Sequence, residues 1–221
     1  MIVNSIFTGI IAVVIVYLLG SIPFAYIFTR LAAGKDVRKV SGGNVGARNT
    51  FLNIGKPAGI ATGFFDIAKG FAAVVIAYWL MNSPSLSGAS TAVCFVMAAG
   101  LAAVAGHIWP LYLRFRGGNG LATTFGVLIF ILPWEVLIAI CITLLLWAFT
   151  HNTILSFNLS LFSVPITGWV FAHSWILVIY PVTIVVLMLL HLGPVIHEEI
   201  QRTGSSKDLV DDLLRRKRKR D

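Results

Sequence analysis

RFRGGNGLATTFG (114–126) places two arginines and four glycines between long apolar runs, and its reading decides the fold. A glycine-rich turn that opens a helix presents backbone N–H groups to an anion and is a natural phosphate cradle. Such turns usually bring a lysine, and the corresponding position here is Asn119. The break therefore reads either as an anion-binding turn or as a plain glycine-rich turn, set into a sequence that is otherwise membrane.

The composition around it agrees. Of 221 residues, 57% are hydrophobic and 12% charged, which excludes an ordinary soluble domain. Mean hydropathy is +0.88. Apolar stretches near the ~20 residues needed to cross a bilayer recur along the chain. They predict an all-α polytopic membrane protein of about seven spans, near 4–30, 57–81, 89–112, 120–132, 134–150, 154–171 and 174–194. The fourth and fifth meet at Leu132-Pro133-Trp134, so either could be a half-span. One domain, 1–204, is expected, followed by a basic tail, 205–221.

The net charge of +8 does not point to nucleic acid, because nearly all the cations lie in a few segments between spans and in the tail. Arg30, Lys35, Arg38, Lys39, Arg48 and Lys56 follow the first span, Arg114 and Arg116 the third, and RRKRKR (215–220) the last. Alternate connections, NSPSLSG (82–88), the Pro133 turn and AHS (172–174), carry no Lys or Arg. The positive-inside rule makes the basic side cytoplasmic, with the N-terminus outside and the C-terminus inside. The tail, with Ser205 and Asp208 as a weak helix start, reads as a stop signal that fixes orientation, or as a contact for anionic lipid. MIVNSIFTG lacks a basic n-region, so the first span is expected to be retained. Cys94 and Cys141 fall in apolar runs, where packed thiols are expected.

The first connection, GKDVRKVSGGNVGARNTFLNIGK (34–56), is too apolar for a free linker and too glycine-rich for a regular helix. It reads as a re-entrant or membrane-surface segment. Gly42, Gly43 and Gly46 would let amides converge on an anion, with Asn44, Arg48 and Asn49 as side-chain donors. The GGN at 42–44 echoes the GGN at 117–119. Thr123 and Thr124 occupy the first turn of the helix after the second glycine segment. Asp66 and Lys69 share a face of the second span at spacing i, i+3, a costly placement that is either functional or a structural lock. His107 ends the third span, and His191 and His197, beside Glu198 and Glu199, end the last. GxSxG, HExxH, Walker A and CxxC patterns are absent.

In order and near-constant spacing, these blocks resemble the bacterial membrane acyl-phosphate:glycerol-3-phosphate acyltransferases of the PlsY type. The matching segments are LLGSIPFAYIFTRLAAGKDVRKVSGGNVGARN (18–49), GKPAGIATGFFDIAKGF (55–71) and AGHIWPLYLRFRGGNGLATTFG (105–126). They correspond to the family's GSIPfG, GSGNxGAtN, DxxKG and GHxfPvfLkFkGGKGvAT blocks and cover roughly the first 130 residues. Three positions depart: the GGKG lysine is Asn119, the GSGN serine is Gly42 with Ser41 one place earlier, and the arginine that follows GATN is matched by Leu52. Arg48 stands at the GATN threonine, and HEEIQR (197–202) fits the C-terminal block only with a one-residue deletion.

The resemblance implies a seven-span bacterial inner-membrane enzyme with its glycine loops on the cytoplasmic side. It further implies transfer of a fatty acyl group from acyl phosphate to the 1-hydroxyl of glycerol 3-phosphate, giving lysophosphatidic acid and phosphate, with no metal or cofactor. An acyl phosphate is already activated, so the protein has only to hold two anions together and stabilise the developing oxyanion. On that basis Arg116, Gly117, Gly118, Asn119, Gly120 and Thr123 would cradle one phosphate, and Ser41, Gly43, Asn44, Arg48 and Asn49 the other. Lys69, His107 and His197 would orient or neutralise, and Asp66 would hold Lys69. The alternative is a catalytically impaired descendant that binds an anionic lipid or phosphate metabolite as scaffold or regulator, with a transporter more distant.

Overall fold

The structure is a computed structural model in which residues 2–82, 90–151 and 153–203 are described, so the tail at 205–221 lies outside the described residues. The described chain is helical: α1 (Ile2–Gly20), α2 (Phe24–Ala33), α3 (Ala47–Asn53), α4 (Lys56–Leu80), α5 (Thr91–Ile108), α6 (Leu121–Ile131), α7 (Pro133–Thr150), α8 (Thr153–Leu161), α9 (Ser163–Ala172) and α10 (Trp175–Thr203). Short 3₁₀ turns occupy Val37–Lys39, Ser41–Gly43 and Leu111–Leu113.

Among the described residues, five segments are long and apolar enough to cross a membrane: Ser5–Ala33, Lys56–Leu80, Thr91–Leu113, Pro133–Thr150 and Trp175–Gly193. Leu121–Ile131 and Leu159–Phe171 are shorter apolar helices. At 1.5 Å per residue α6 rises only ~16 Å, about half the hydrocarbon thickness. The sequence left open which of the fourth and fifth spans was short. It is the fourth.

Three expectations change. The first span is not continuous, because Pro23 lacks the N–H needed to extend α1. The chain turns at Ser21, whose N–H and hydroxyl both donate to the Tyr17 carbonyl, at 2.9 and 2.8 Å. The expected span 154–171 is divided at Phe162 into α8 and α9. Connection 34–56, expected to contain no regular helix, includes α3, seated after Gly46 and closed by the Ile54 N–H on the Thr50 carbonyl at 3.0 Å.

Glycines set the closest packing. A methyl group at Gly70 or Gly126 would overlap the Thr123 and Ile67 carbonyls, and one at Gly20 or Gly106 would overlap Ala103 and Tyr17. The α4–α6 and α1–α5 seams are thus in backbone contact. Val96, Val104, Val127, Leu128 and Ile184 fill the centre. Phe7, Phe64, Leu145, Phe149 and Leu190 project outward in large number with their like, the arrangement that hydrocarbon solvent favours. Cys94 and Cys141 belong to this outer surface, exposed where packed thiols were expected.

Candidate functional site

The two glycine segments meet at one end of the bundle. The Val45 N–H donates to the Gly117 carbonyl at 3.4 Å, so residues 41–49 and 114–120 form one face. Each reaches it differently. In the first segment Ser41, Gly42 and Gly43 have φ of 39, 77 and 73°, a left-handed turn that leaves Ser41 and Gly42 exposed. Asn49 is buried beneath this turn, and its amide donates to the carbonyls of Asn44 at 2.9 Å and Val40 at 3.0 Å. Both its N–H hydrogens are therefore engaged. Asn49 shapes the turn and is corrected from an anion donor to a loop clip.

In the second segment the Gly117 and Gly118 N–H groups donate to the carbonyls of Ile108 (3.1 Å) and His107 (3.2 Å). These two amides close the end of α5 and are not open to a phosphate, a correction to the expected cradle. The open donors lie further on. Gly120, at φ +83°, starts α6, whose first bond is Thr124 N–H to the Gly120 carbonyl at 2.8 Å. The amides of Leu121, Ala122 and Thr123 precede that bond and have no partner inside the helix. Together with Asn119 they form the positive end of the α6 dipole. Thr123 itself is fully buried, its hydroxyl without a hydrogen-bond partner among the described residues, so the amides left open to an anion are those of Leu121 and Ala122, and Thr123 is corrected from a phosphate contact.

Two cations flank the face. Arg116 and Arg48 are exposed, with no acidic group at ion-pair distance among the described residues. Arg116 emerges from a turn whose preceding residues, Arg114 and Phe115, both adopt positive φ (56 and 62°). That turn holds through Phe115 N–H to the Pro110 carbonyl at 2.9 Å.

Beneath the face lies a buried ionic cluster. Lys69 Nζ stands 2.9 Å from Asp66 Oδ1, and His107 Nδ1 stands 3.4 Å from the same oxygen. All three side chains are buried. The Asp66 Oδ1 contacts are ionic and fall short of hydrogen-bond geometry. Lys69 also donates to the Ile22 carbonyl at 2.9 Å, tying α4 to the α1/α2 break. The other edge of His107 packs against Gly118, where a β-carbon would overlap His107 Nε2 and the Val45 carbonyl. Asp66, Lys69 and His107 line a recess of about 10 Å³, room for about one water. This cluster supports the face from below, with Asp66 holding both Lys69 and His107.

Sequence reasoning did not single out Tyr26. Two guanidiniums approach its ring, Arg30 at 5.7 Å and Arg38 at 5.5 Å. Arg38 pairs with Asp36 at 2.7 Å, and the Asp36 carboxylate also caps the Val37–Lys39 turn through the Arg38 N–H at 3.0 Å. Those bonds to Arg38 hold the Asp36 carboxyl below its ordinary range. A signal was present in D-V-R, but the tyrosine comes from α2, ten residues earlier.

Of the two C-terminal histidines, His191 is brought to the end of α5, its ring edge-on to Trp109 at 5.9 Å. His197 lies within α10, and its side chain is outside the described residues. Among the described residues no group of three His, Cys, Asp or Glu side chains could hold a metal ion.

Comparison with known proteins places the chain in a family. Residues 10–203 match the family glycerol-3-phosphate acyltransferase. Glycerol-3-phosphate acyltransferase 1 of Dehalococcoides mccartyi is 40% identical over 163 residues, 72% of this chain and 74% of that protein. The glycerol-3-phosphate acyltransferase of Nitrobacter winogradskyi is 41% identical over 184 residues, 83% and 88% of the two chains. The crystal structure of PlsY, an integral membrane glycerol 3-phosphate acyltransferase, in its glycerol 3-phosphate form superposes with a TM-score of 0.73 at 29% identity. That superposition covers 89% of this chain and 92% of that one. The lysophosphatidic acid form of PlsY gives 0.70 at 26% identity, covering 91% and 98%. The chain belongs to the glycerol-3-phosphate acyltransferase family and is a multi-pass membrane protein.

Proposed function

We propose that this protein transfers a fatty acyl group from acyl phosphate to the 1-hydroxyl of glycerol 3-phosphate, giving lysophosphatidic acid and phosphate. The observation that carries this reading is the joined face. One hydrogen bond, Val45 N–H to the Gly117 carbonyl, joins two donor-rich segments, with Arg48 on one and Arg116 on the other, neither at ion-pair distance from an acidic group among the described residues. The reaction brings together two phosphates of like charge, and a doubled cationic face offsets their repulsion. The relatives' shared activity favours the enzyme over a non-catalytic scaffold.

In the step itself, the 1-hydroxyl oxygen forms a bond to the acyl carbonyl carbon. The bond from that carbon to the phosphate oxygen breaks, and the hydroxyl proton leaves with the departing phosphate. Arg116, Asn119 and the amides of Leu121 and Ala122 at the start of α6 hold one phosphate. Arg48, Ser41 and Asn44 hold the other. Gly117, Gly118, Asn49 and His107 keep the two turns in register, and Asp66 and Lys69 fix His107 and the α1/α2 break. His197 follows the last span at the same end. The basic segments flank this face, so it faces the cytoplasm of a bacterial inner membrane, with the N-terminus outside.

The test is direct. The reconstituted protein is given palmitoyl phosphate or palmitoyl-CoA with glycerol 3-phosphate, and products are followed by mass spectrometry. Lysophosphatidic acid is expected from acyl phosphate. Product from palmitoyl-CoA alone would refute the donor, and product from neither would refute the activity.

A further inference from the structure

The end of α2 carries a group of cations that the acyl-transfer face does not use. The helix is two-sided: Ala25 and Thr29 are buried, whereas Ile27 and Leu31 on the other side are exposed, where hydrocarbon meets them. It closes on Gly34 in the left-handed conformation (φ 66°), and the exposed Lys35 and Lys39 follow. An outward apolar surface therefore gives way to cations within about one helical turn.

Arg30 is the oriented member of the group. Its Nε–H donates to the Tyr26 hydroxyl at 3.3 Å and its Nη1 to the Gly34 carbonyl at 2.8 Å. Both acceptors are neutral, so the guanidinium is held in place without being neutralised. Its other N–H groups, both of those on Nη2 among them, have no partner among the described residues. The Asp36 carboxylate is taken up by Arg38 Nη2 at 2.7 Å and Nε at 3.0 Å. Arg30, Lys35 and Lys39 thus have no acidic group at ion-pair distance among the described residues.

These cations stand on a firm base. Ala25, Val37, Val45 and Leu113 form a small buried core of their own, with Tyr26 packed against it. That core draws together α2, the Val37–Lys39 turn and the approaches to both glycine segments. A guanidinium tied at one edge and open at the other suits the paired oxygens of a phosphate. Its surroundings say which phosphate. A soluble anion gains nothing from Ile27 and Leu31, whereas a phospholipid carries its phosphate at the boundary where apolar side chains give way to cations.

We infer that the end of α2 is a binding site for the phosphate of an anionic membrane phospholipid, held by Arg30 with Lys35 and Lys39. The site uses neither Arg48 nor Arg116, and it stands whether or not the protein transfers acyl groups.

The experiment uses the full chain in detergent, without either substrate. It is titrated with phosphatidylglycerol, phosphatidylcholine or inorganic phosphate, and the bound species are counted by native mass spectrometry. Each cation beside an anionic lipid surface contributes roughly a fivefold factor in affinity. The wild type is therefore expected to favour phosphatidylglycerol over phosphatidylcholine by at least about tenfold. Arg30→Gln with Lys35→Gln should bind phosphatidylglycerol about twentyfold more weakly and phosphatidylcholine as before. The basic tail is the same in both proteins, so the difference reports the end of α2. Should that variant fail to fold once Tyr26 and Gly34 are released, Lys35→Gln with Lys39→Gln, at exposed positions, is expected to show a loss of the same size. Equal binding of the two lipids by the wild type, or a preference that survives in the variants, overturns the inference. Inorganic phosphate that displaces phosphatidylglycerol at equal concentration would make this a site for a soluble anion and overturn it as well.

Discussion

Residues 42–44 and 117–119 both read Gly-Gly-Asn, and the fold uses them in opposite ways. In the first, both glycines need a left-handed backbone, and Gly42, at φ +77°, needs nothing else, having no atom within 4 Å of the place a β-carbon would occupy, whereas Gly43 also lies close to the Arg38 carbonyl. In the second, glycine is needed for its missing side chain, because a β-carbon at Gly117 or Gly118 would overlap the end of α5, His107 or Val45. One turn projects donors and the other is a brace that delivers the chain to the start of α6. The same three letters report that glycine is required without reporting which property of glycine is required.

The strongest way to break this contrast is from beneath the brace. Asp66→Ala leaves the Lys69 ammonium buried and uncompensated and is expected to destabilise the protein by about 3–5 kcal/mol. Thermal unfolding in detergent reads this, and Asp66→Leu with Lys69→Met should recover most of the loss. The turns themselves come next. Gly118→Ala, an overpacking change, is expected to cost about 3 kcal/mol, against about 1 kcal/mol of left-handed strain for Gly42→Ala. Equal losses at the two positions would erase the distinction.

Arg116→Ala and Arg48→Ala probe the donors. Each removes a charge-assisted hydrogen bond worth about 1.5–3 kcal/mol, a roughly ten- to hundredfold fall in kcat/KM without a fall in melting temperature. The smallest effect belongs to the entrance of the first turn. The Asp36 carboxyl is held low by Arg38, so its contribution is present above its unfolded pKa, about 3.9. It is lost as pH falls through the depressed native value. For a partly exposed pair this is below about 1 kcal/mol. Asp36→Asn should lower the melting temperature slightly at neutral pH and flatten the acid limb below about pH 4, so that the two profiles converge in acid.

Much of this was legible in the chain. The charge segregation and the apolar runs carried the membrane fold, and the glycine segments carried the location of the face, because those patterns are properties of composition and spacing. What spacing could not carry were facts about which atoms meet. The engagement of the Gly117 and Gly118 amides depends on where α5 stops. The burial of Asn49 depends on the path of the turn around it. The division of 154–171 at Phe162 is a packing outcome, in a segment whose hydropathy runs on without a break. Tyr26 was passed over because cation–π partners leave no local pattern.

Acyl transfer at the joined face is most directly tested by the initial rates of the reconstituted wild type and Arg116→Ala on palmitoyl phosphate and glycerol 3-phosphate. The wild type is expected to release phosphate and form lysophosphatidic acid one for one, and Arg116→Ala to run at least tenfold slower with its melting temperature intact. A folded wild type that forms no lysophosphatidic acid, or an Arg116→Ala that keeps the wild-type rate, would contradict it.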